Sequence, residues 1–134
     1  MSTILIVEDN LSFRESLNEA LSSQFPATRI VEASNAVEAF RAVSATPPDL
    51  MFVDIRLPGE TGLEVTRKVK QDHPEIQVVV ITNYDLAEYR EAARRYGADH
   101  FVHKGSASWS EITALVKSLL SNAGPEKETP SQQA

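Results

Sequence analysis

The sequence contains no cysteine. Disulfides and thiolate metal sites are excluded, and a cytoplasmic setting is the expected one. Long apolar runs are missing too: none approaches the ~20 residues that a membrane span requires. The N-terminus, Met1-Ser2-Thr3, enters a strand directly, without a basic region or a cleavage pattern. Positive charge is in short supply. Thirteen Lys and Arg against nineteen Asp and Glu give a formal net charge of −6. That leaves no electrostatic footprint for nucleic acid, so direct DNA binding is not expected. No internal repeat is present. What remains is a chain of 134 residues, 42% of them hydrophobic, which suits one compact domain with a full core.

The most informative stretch is Leu50–Glu64, Leu-Met-Phe-Val-Asp-Ile-Arg-Leu-Pro-Gly-Glu-Thr-Gly-Leu-Glu. Its apolar run does not alternate before Asp54, and a Pro-Gly turn follows. Such a run, bounded by turn signals, predicts a strand buried on both faces, as in the middle of a parallel sheet. Asp54 then stands at the strand's carboxyl end, the edge where ligands bind in open α/β sheets.

The same grammar recurs along the chain. Ile4-Leu5-Ile6-Val7 is a second continuous apolar run, ending in Glu8-Asp9. Short strands are predicted at Ile30-Val31 and Phe101-Val102, and a further buried strand at Val78–Ile81, ending at Thr82-Asn83. Between them lie helical patterns, each opened by a capping residue with Glu at the third position after it. The pairs are Ser12 with Glu15, Asn35 with Glu38, Thr61 with Glu64, Asp85 with Glu88, and Ser108 with Glu111. Pro26 and Pro74 stop the first and third helices, and Gly97 closes the fourth. Strict β-α alternation over five units implies an α/β fold, a parallel sheet with helices on both faces. The segment from Gly124 has almost no apolar content and reads as a disordered tail or linker.

If the first and third strands are neighbours, their ends lie about 4.8 Å apart, and Glu8, Asp9 and Asp54 crowd together. A lone acid at a strand end is simply solvated. Three in one place repel, so protons are taken up or a divalent cation neutralises them. Oxygen-only ligands suit Mg²⁺ or Mn²⁺. Two other strand ends supply the Thr82 hydroxyl and, close by, the Lys104 ammonium, donors for phosphoryl or carboxylate oxygens. Together these groups suit in-line transfer of a phosphoryl group to an aspartate.

At this point the chain, over roughly Thr3–Leu120, resembles the receiver domain of two-component response regulators, the CheY-like superfamily. The matching features are Ile-Val-Glu8-Asp9-Asn, Asp54-Ile-Arg-Leu-Pro-Gly-Glu-Thr-Gly, Thr82 and Lys104, in that order. The variant looks closest to NarL/LuxR-type receivers, from Asn10-Leu-Ser-Phe-Arg-Glu and Gly97-Ala-Asp-His-Phe-Val-His-Lys. The resemblance implies a doubly wound, flavodoxin-like (βα)5 sandwich with sheet order 2-1-3-4-5 over residues 1–122, and a tail or linker over 123–134. It implies that Asp54 accepts a phosphoryl group from a histidine kinase or phosphotransfer protein. Glu8, Asp9, the Asp54 side chain and the Arg56 backbone carbonyl would hold Mg²⁺, while Thr82 and Lys104 would bind the phosphoryl oxygens.

By the same carry-over Phe101 is the switch aromatic, although an ordinary packed strand aromatic would read the same. The output surface is the face of the fourth helix, fifth strand and fifth helix, which would meet an output domain, a protein partner or a second phosphorylated copy. Arg56 and Tyr84 match positions flanking the path of attacking water, and would tune the lifetime of the phosphoryl group unless they are two solvated loop side chains. Arg56 is also placed to meet a phosphoryl oxygen or Glu60. Trp109, the chain's one tryptophan, is expected at the start of the last helix, away from the acids.

Two positions depart from the family pattern. Asn83 stands where many receivers have a small residue, and Gly105 where many have proline. Rival readings differ at named positions. An aspartate-nucleophile phosphohydrolase wants a second acid where Arg56 stands. A flavodoxin-like FMN carrier wants a Ser/Thr/Gly-rich first loop where Glu8-Asp9 would repel a phosphate. A degenerate receiver, acting as a phosphorylation-independent binding module, finds its best support in Asn83. NarL/LuxR-type regulators carry a DNA-binding output domain after the receiver. Ending at Ala134, the chain reads either as a stand-alone switch or as the receiver of a longer regulator.

Overall fold

The computed structural model describes residues 2–123. Five strands and five helices alternate: β1 (Thr3–Val7), α1 (Leu11–Gln24), β2 (Arg29–Ala33), α2 (Ala36–Ala45), β3 (Leu50–Val53), α3 (Gly62–Asp72), β4 (Gln77–Thr82), α4 (Ala87–Arg95), β5 (His100–His103) and α5 (Trp109–Ala123). Of the expected tail, Gly124 to Ala134 lie outside the described residues, and Ala123 ends α5. All strand pairs are parallel and the sheet order is β2-β1-β3-β4-β5, the order the resemblance implied.

The unalternating apolar runs are explained by two cores, one on each face of the sheet. Leu5, Val7, Met51, Val53, Val78 and Val80 point to one side, where they meet Ala39, Val43, Val65, Val69 and Ala93 of α2, α3 and α4. Their neighbours Ile4, Ile6, Leu50, Phe52, Val79 and Ile81 point to the other, against Leu17 and Leu21 of α1 and Ile112 and Val116 of α5. Each fully buried Val, Leu, Ile or Phe contributes roughly 1.5–3 kcal/mol relative to exposure. A polar residue within β1, β3 or β4 would therefore cost a packing contact on one core or the other. After Thr3 and Gln77, which open β1 and β4, the next polar side chains come where the strands stop, at Glu8, Asp54 and Thr82.

Helix starts follow the capping signals in three cases. The side chains of Asn35 and Thr61 accept from the N–H groups of Glu38 and Glu64. Ser108 and Glu111 cap each other reciprocally, at 2.9 and 3.1 Å. Two starts differ from the expectation. Helix α1 is capped by Asn10, whose Oδ1 accepts from Phe13 N–H at 2.9 Å; the helix therefore starts at Leu11, and Ser12 lies inside its first turn. At α4 the capping residue is Leu86, without a side-chain bond, because the Asp85 carboxylate is engaged by Arg90. Gly97 does close α4, with a φ of +103° that an L side chain rarely adopts. Among the described residues no helix is long and apolar enough to cross a membrane.

Candidate phosphoacceptor site

Strands β1 and β3 are neighbours in register, with Val7 beside Val53, so the next residue of each, Glu8 and Asp54, leaves the sheet at the same edge. The backbone ladder extends past them: Asp54 N–H donates to Val7 O at 3.0 Å, and Glu8 N–H to Ala33 O at 2.9 Å. Glu8 and Asp54 are buried, whereas Asp9 is exposed. The three carboxylates bring oxygens within 4.8 Å of one another.

Lys104 enters this cluster from the other end of the sheet. Its Nζ donates to Asp54 Oδ2 at 3.0 Å and lies 2.6 Å from Glu8 Oε1. The second Asp54 oxygen accepts from Arg56 N–H at 3.4 Å. Glu8 Oε2 accepts from Asn10 N–H at 3.0 Å. Glu8 Oε1 is buried without an aligned hydrogen bond; the ammonium beside it makes a charge contact only. Burial pushes the Glu8 carboxyl up, and the Asp54 charge adds to this, against the lowering pull of Lys104 and the Asn10 N–H. Burial disfavours the Lys104 ammonium, but its contacts with the Glu8 and Asp54 carboxylates and their charges outweigh that, so its pKa is raised.

Three carboxylates against one ammonium leave a formal charge of −2 in a half-enclosed space. The misaligned Glu8 oxygen and the all-oxygen donor set fit a hard divalent cation. The acidic pocket could hold one through Glu8, Asp9 and Asp54.

Thr82 ends β4, the strand next to β3. It is fully buried, its Oγ1 accepts from Tyr84 N–H at 3.3 Å, and its carbonyl accepts from Lys104 N–H at 2.9 Å. The threonine and the lysine are therefore tied through the backbone. Phe101 on β5 is half-buried, and the Arg90 guanidinium covers its ring at 4.6 Å. Arg56 stacks over the Tyr84 ring at 4.7 Å, so these two residues meet each other. Glu60, one of the two partners expected for Arg56, pairs with Lys68 at 2.6 Å. Asn83 is exposed.

Gly62 approaches the acceptor strand more closely than any side chain could. A Cβ there would lie 1.9 Å from the Asp54 carbonyl oxygen, and its N–H donates to Ile55 O at 2.9 Å. The first turn of α3 thus buttresses the backbone that carries Asp54. Gly105 lies against the His103 ring, 3.2 Å from Cε1 for an added Cβ.

The response regulator receiver domain model matches residues 4–117. The chain belongs to that family. Response regulator MprA of Mycobacterium avium is 32% identical to this receiver over 128 residues, 96% of the chain and 55% of that protein. The receiver spans about half the length of the curated relatives it matches. A CheY-like response regulator receiver domain protein from Methanospirillum hungatei superposes with a TM-score of 0.86 at 25% identity, over 96% of this chain and 98% of that one. A LuxR-family two-component response regulator from Aurantimonas superposes with a TM-score of 0.81 at 28% identity, over 91% and 86%.

Two side chains around this site, Arg14 and Phe13, were not singled out from sequence. Arg14 donates to the Glu8 carbonyl at 2.6 Å, fixing the backbone of the acidic loop. Phe13 lies beneath the Lys104 ammonium, 4.3 Å from Nζ to the ring centroid, and Trp109 stacks on Phe13 at 5.6 Å. Trp109 does start α5 as expected, and its stack links it to the Phe13 ring beside Lys104. A signal was available, since Phe13 continues the Leu17 and Leu21 stripe of α1 by one more turn.

Proposed function

We propose that this receiver takes a phosphoryl group on Asp54 from the phosphohistidine of a histidine kinase or phosphotransfer protein, with Mg²⁺ or Mn²⁺ as cofactor. The observation that carries the reading is the placement of Lys104 Nζ between the buried Glu8 and Asp54 carboxylates. An Asp54 oxygen attacks phosphorus, the P–N bond to the donor imidazole breaks, and an aspartyl phosphate forms. Glu8, Asp9, Asp54 and the Arg56 backbone carbonyl are the residues that would hold the cation. Bound there, it would neutralise charge on the transferring phosphoryl oxygens.

The phosphoryl group brings about −1.5 to −2 charge and three acceptor oxygens. The Lys104 ammonium can leave its carboxylate partners for them, and the Thr82 hydroxyl can donate to another. Because Lys104 N–H is bonded to Thr82 O, motion at either end strains the β4–β5 edge. Inward movement of Thr82 makes room for Phe101, which must then leave Arg90. The face of α4, β5 and α5 would change accordingly and pass the signal to an output domain, a protein partner or a second copy. In this reading the receiver catalyses only its own phosphorylation and slow dephosphorylation, in a cytoplasmic setting. The switch extends through Ala123, the end of α5, and the segment after it is a linker or tail.

The reading is tested with Thr82→Ala, loaded with acetyl phosphate and Mg²⁺ and followed by amide NMR shifts. The variant should still gain the phosphoryl group, but the shifts across α4, β5 and α5 should shrink relative to wild type. A full response without the hydroxyl would remove Thr82 from the switch.

A further inference from the structure

Phosphoryl transfer as proposed above needs the Lys104 ammonium in one place, yet lysine hangs its charge on a four-carbon stem with several soft torsions. Two carboxylates fix two directions of the ammonium: Asp54 Oδ2 at 3.0 Å and Glu8 Oε1 at 2.6 Å. The third direction is closed by a ring. Nζ lies 4.3 Å from the centroid of Phe13, within the range where a cation is held by the negative face of an aromatic ring. The lysine side chain is only 9% exposed, so water competes little for that face.

The ring is itself held. Phe13 sits in the first turn of α1, fixed by the Asn10 cap on its own N–H at 2.9 Å. From the outer side Trp109, the first residue of α5, stacks on it with centroids 5.6 Å apart and a tilt of 31°. Trp109 is itself 41% exposed, so it lies on the solvent side of the Phe13–Lys104 pair. Two helices packed on one face of the sheet thus close around a lysine delivered from β5.

We propose that Phe13 is a positioning residue for Lys104: its ring, backed by Trp109, holds the ammonium at the point where the phosphoryl oxygens arrive. A leucine in its place keeps most of the volume and the stripe with Leu17 and Leu21, but has no quadrupole to offer. A tyrosine keeps the ring face.

Acetyl phosphate and Mg²⁺ at fixed concentration provide the test, with phosphorylation rates of wild type, Phe13→Leu and Phe13→Tyr followed by mass. Phe13→Leu is expected to be about fivefold slower, from the strength of a partly desolvated cation–ring contact, and Phe13→Tyr to recover most of the wild-type rate. Equal rates for Phe13→Leu and wild type, or a tyrosine variant as slow as the leucine one, would overturn the proposal. A second measurement does not depend on phosphorylation. Urea unfolding of Phe13→Leu, Lys104→Met and the double variant should reveal a coupling of about fivefold in the unfolding constant. If wild type takes no phosphoryl group, the acceptor reading falls while this coupling still decides whether Phe13 holds Lys104. A coupling indistinguishable from zero would show that it does not.

Discussion

Lys104, delivered by β5 at one edge of the sheet, places its ammonium 2.6 Å from the carboxylate of Glu8 at the end of β1, three strand positions away. The contact spans the site: Asp54, the residue just after β3, lies between them and shares the same ammonium. Both side chains are nearly buried, 9% and 2% exposed. Removing one partner of such a pair leaves a charge without compensation, an effect on the order of 3–5 kcal/mol.

A pH dependence follows from the raised proton affinity of Glu8. Its folded-state pKa lies above the ordinary 4.5, so the folded state keeps this proton longer than the unfolded chain. The associated stability is fully present below the ordinary value and is lost as pH rises through the folded one. Glu8→Gln removes that dependence. In chelator, wild type should lose stability relative to Glu8→Gln as pH rises from about 4.5, with a plateau once Glu8 is ionised. Each tenfold gain in proton affinity corresponds to about 1.4 kcal/mol. Lys104 is raised as well, so its contribution is lost only in the alkaline range above 10.5. Urea unfolding of both proteins across pH checks this, and a constant difference between them would show that Glu8 is not strained by burial.

Gly62→Ala should damage the site through the backbone. The new methyl would stand 1.9 Å from the Asp54 carbonyl oxygen, so α3 or the end of β3 must move. Overpacking of this kind costs typically ~1–3 kcal/mol. Urea unfolding should show a loss in that range, and the protein that remains folded should be phosphorylated more slowly than wild type. A variant with unchanged stability and rate would mean that the loop yields freely.

Of these features, the fold was the most legible from sequence, because strands buried on two faces stay apolar from their second position up to their carboxyl ends. That rule exposed Glu8, Asp54 and Thr82 together. Lys104 was legible as the cation near the last strand's end. The caps at Ser12 and Asp85 misled because the capping pattern is local, whereas the choice among nearby Asn, Ser and Asp side chains depends on which is already engaged. Asn10 caps the Phe13 N–H and starts the helix before Ser12 is reached, and Asp85 is held by Arg90. The Phe13–Trp109 stack was hidden for a different reason. It depends on how α1 and α5 meet across the sheet face, which no periodicity within either helix encodes.

Arg56 and Tyr84 stack at 4.7 Å across the loops that follow β3 and β4. If this pair shields an aspartyl phosphate, hydrolysis should quicken when both are replaced. A positioned water typically contributes ~10²–10⁴-fold in general acid–base catalysis, and partial access to it sets an expectation of roughly tenfold. Phosphate release would be compared between wild type and the Arg56→Asn, Tyr84→Glu double variant at fixed Mg²⁺. Equal rates would rule out shielding by the pair.

The assignment of Asp54 as acceptor is tested most directly by intact mass after incubation with acetyl phosphate and Mg²⁺. Wild type is expected to gain a single phosphoryl group. Asp54→Asn, a near-isosteric change at a buried position, should gain none while unfolding cooperatively in urea as wild type does. A phosphoryl group that still appears on Asp54→Asn would contradict the assignment and place the acceptor elsewhere.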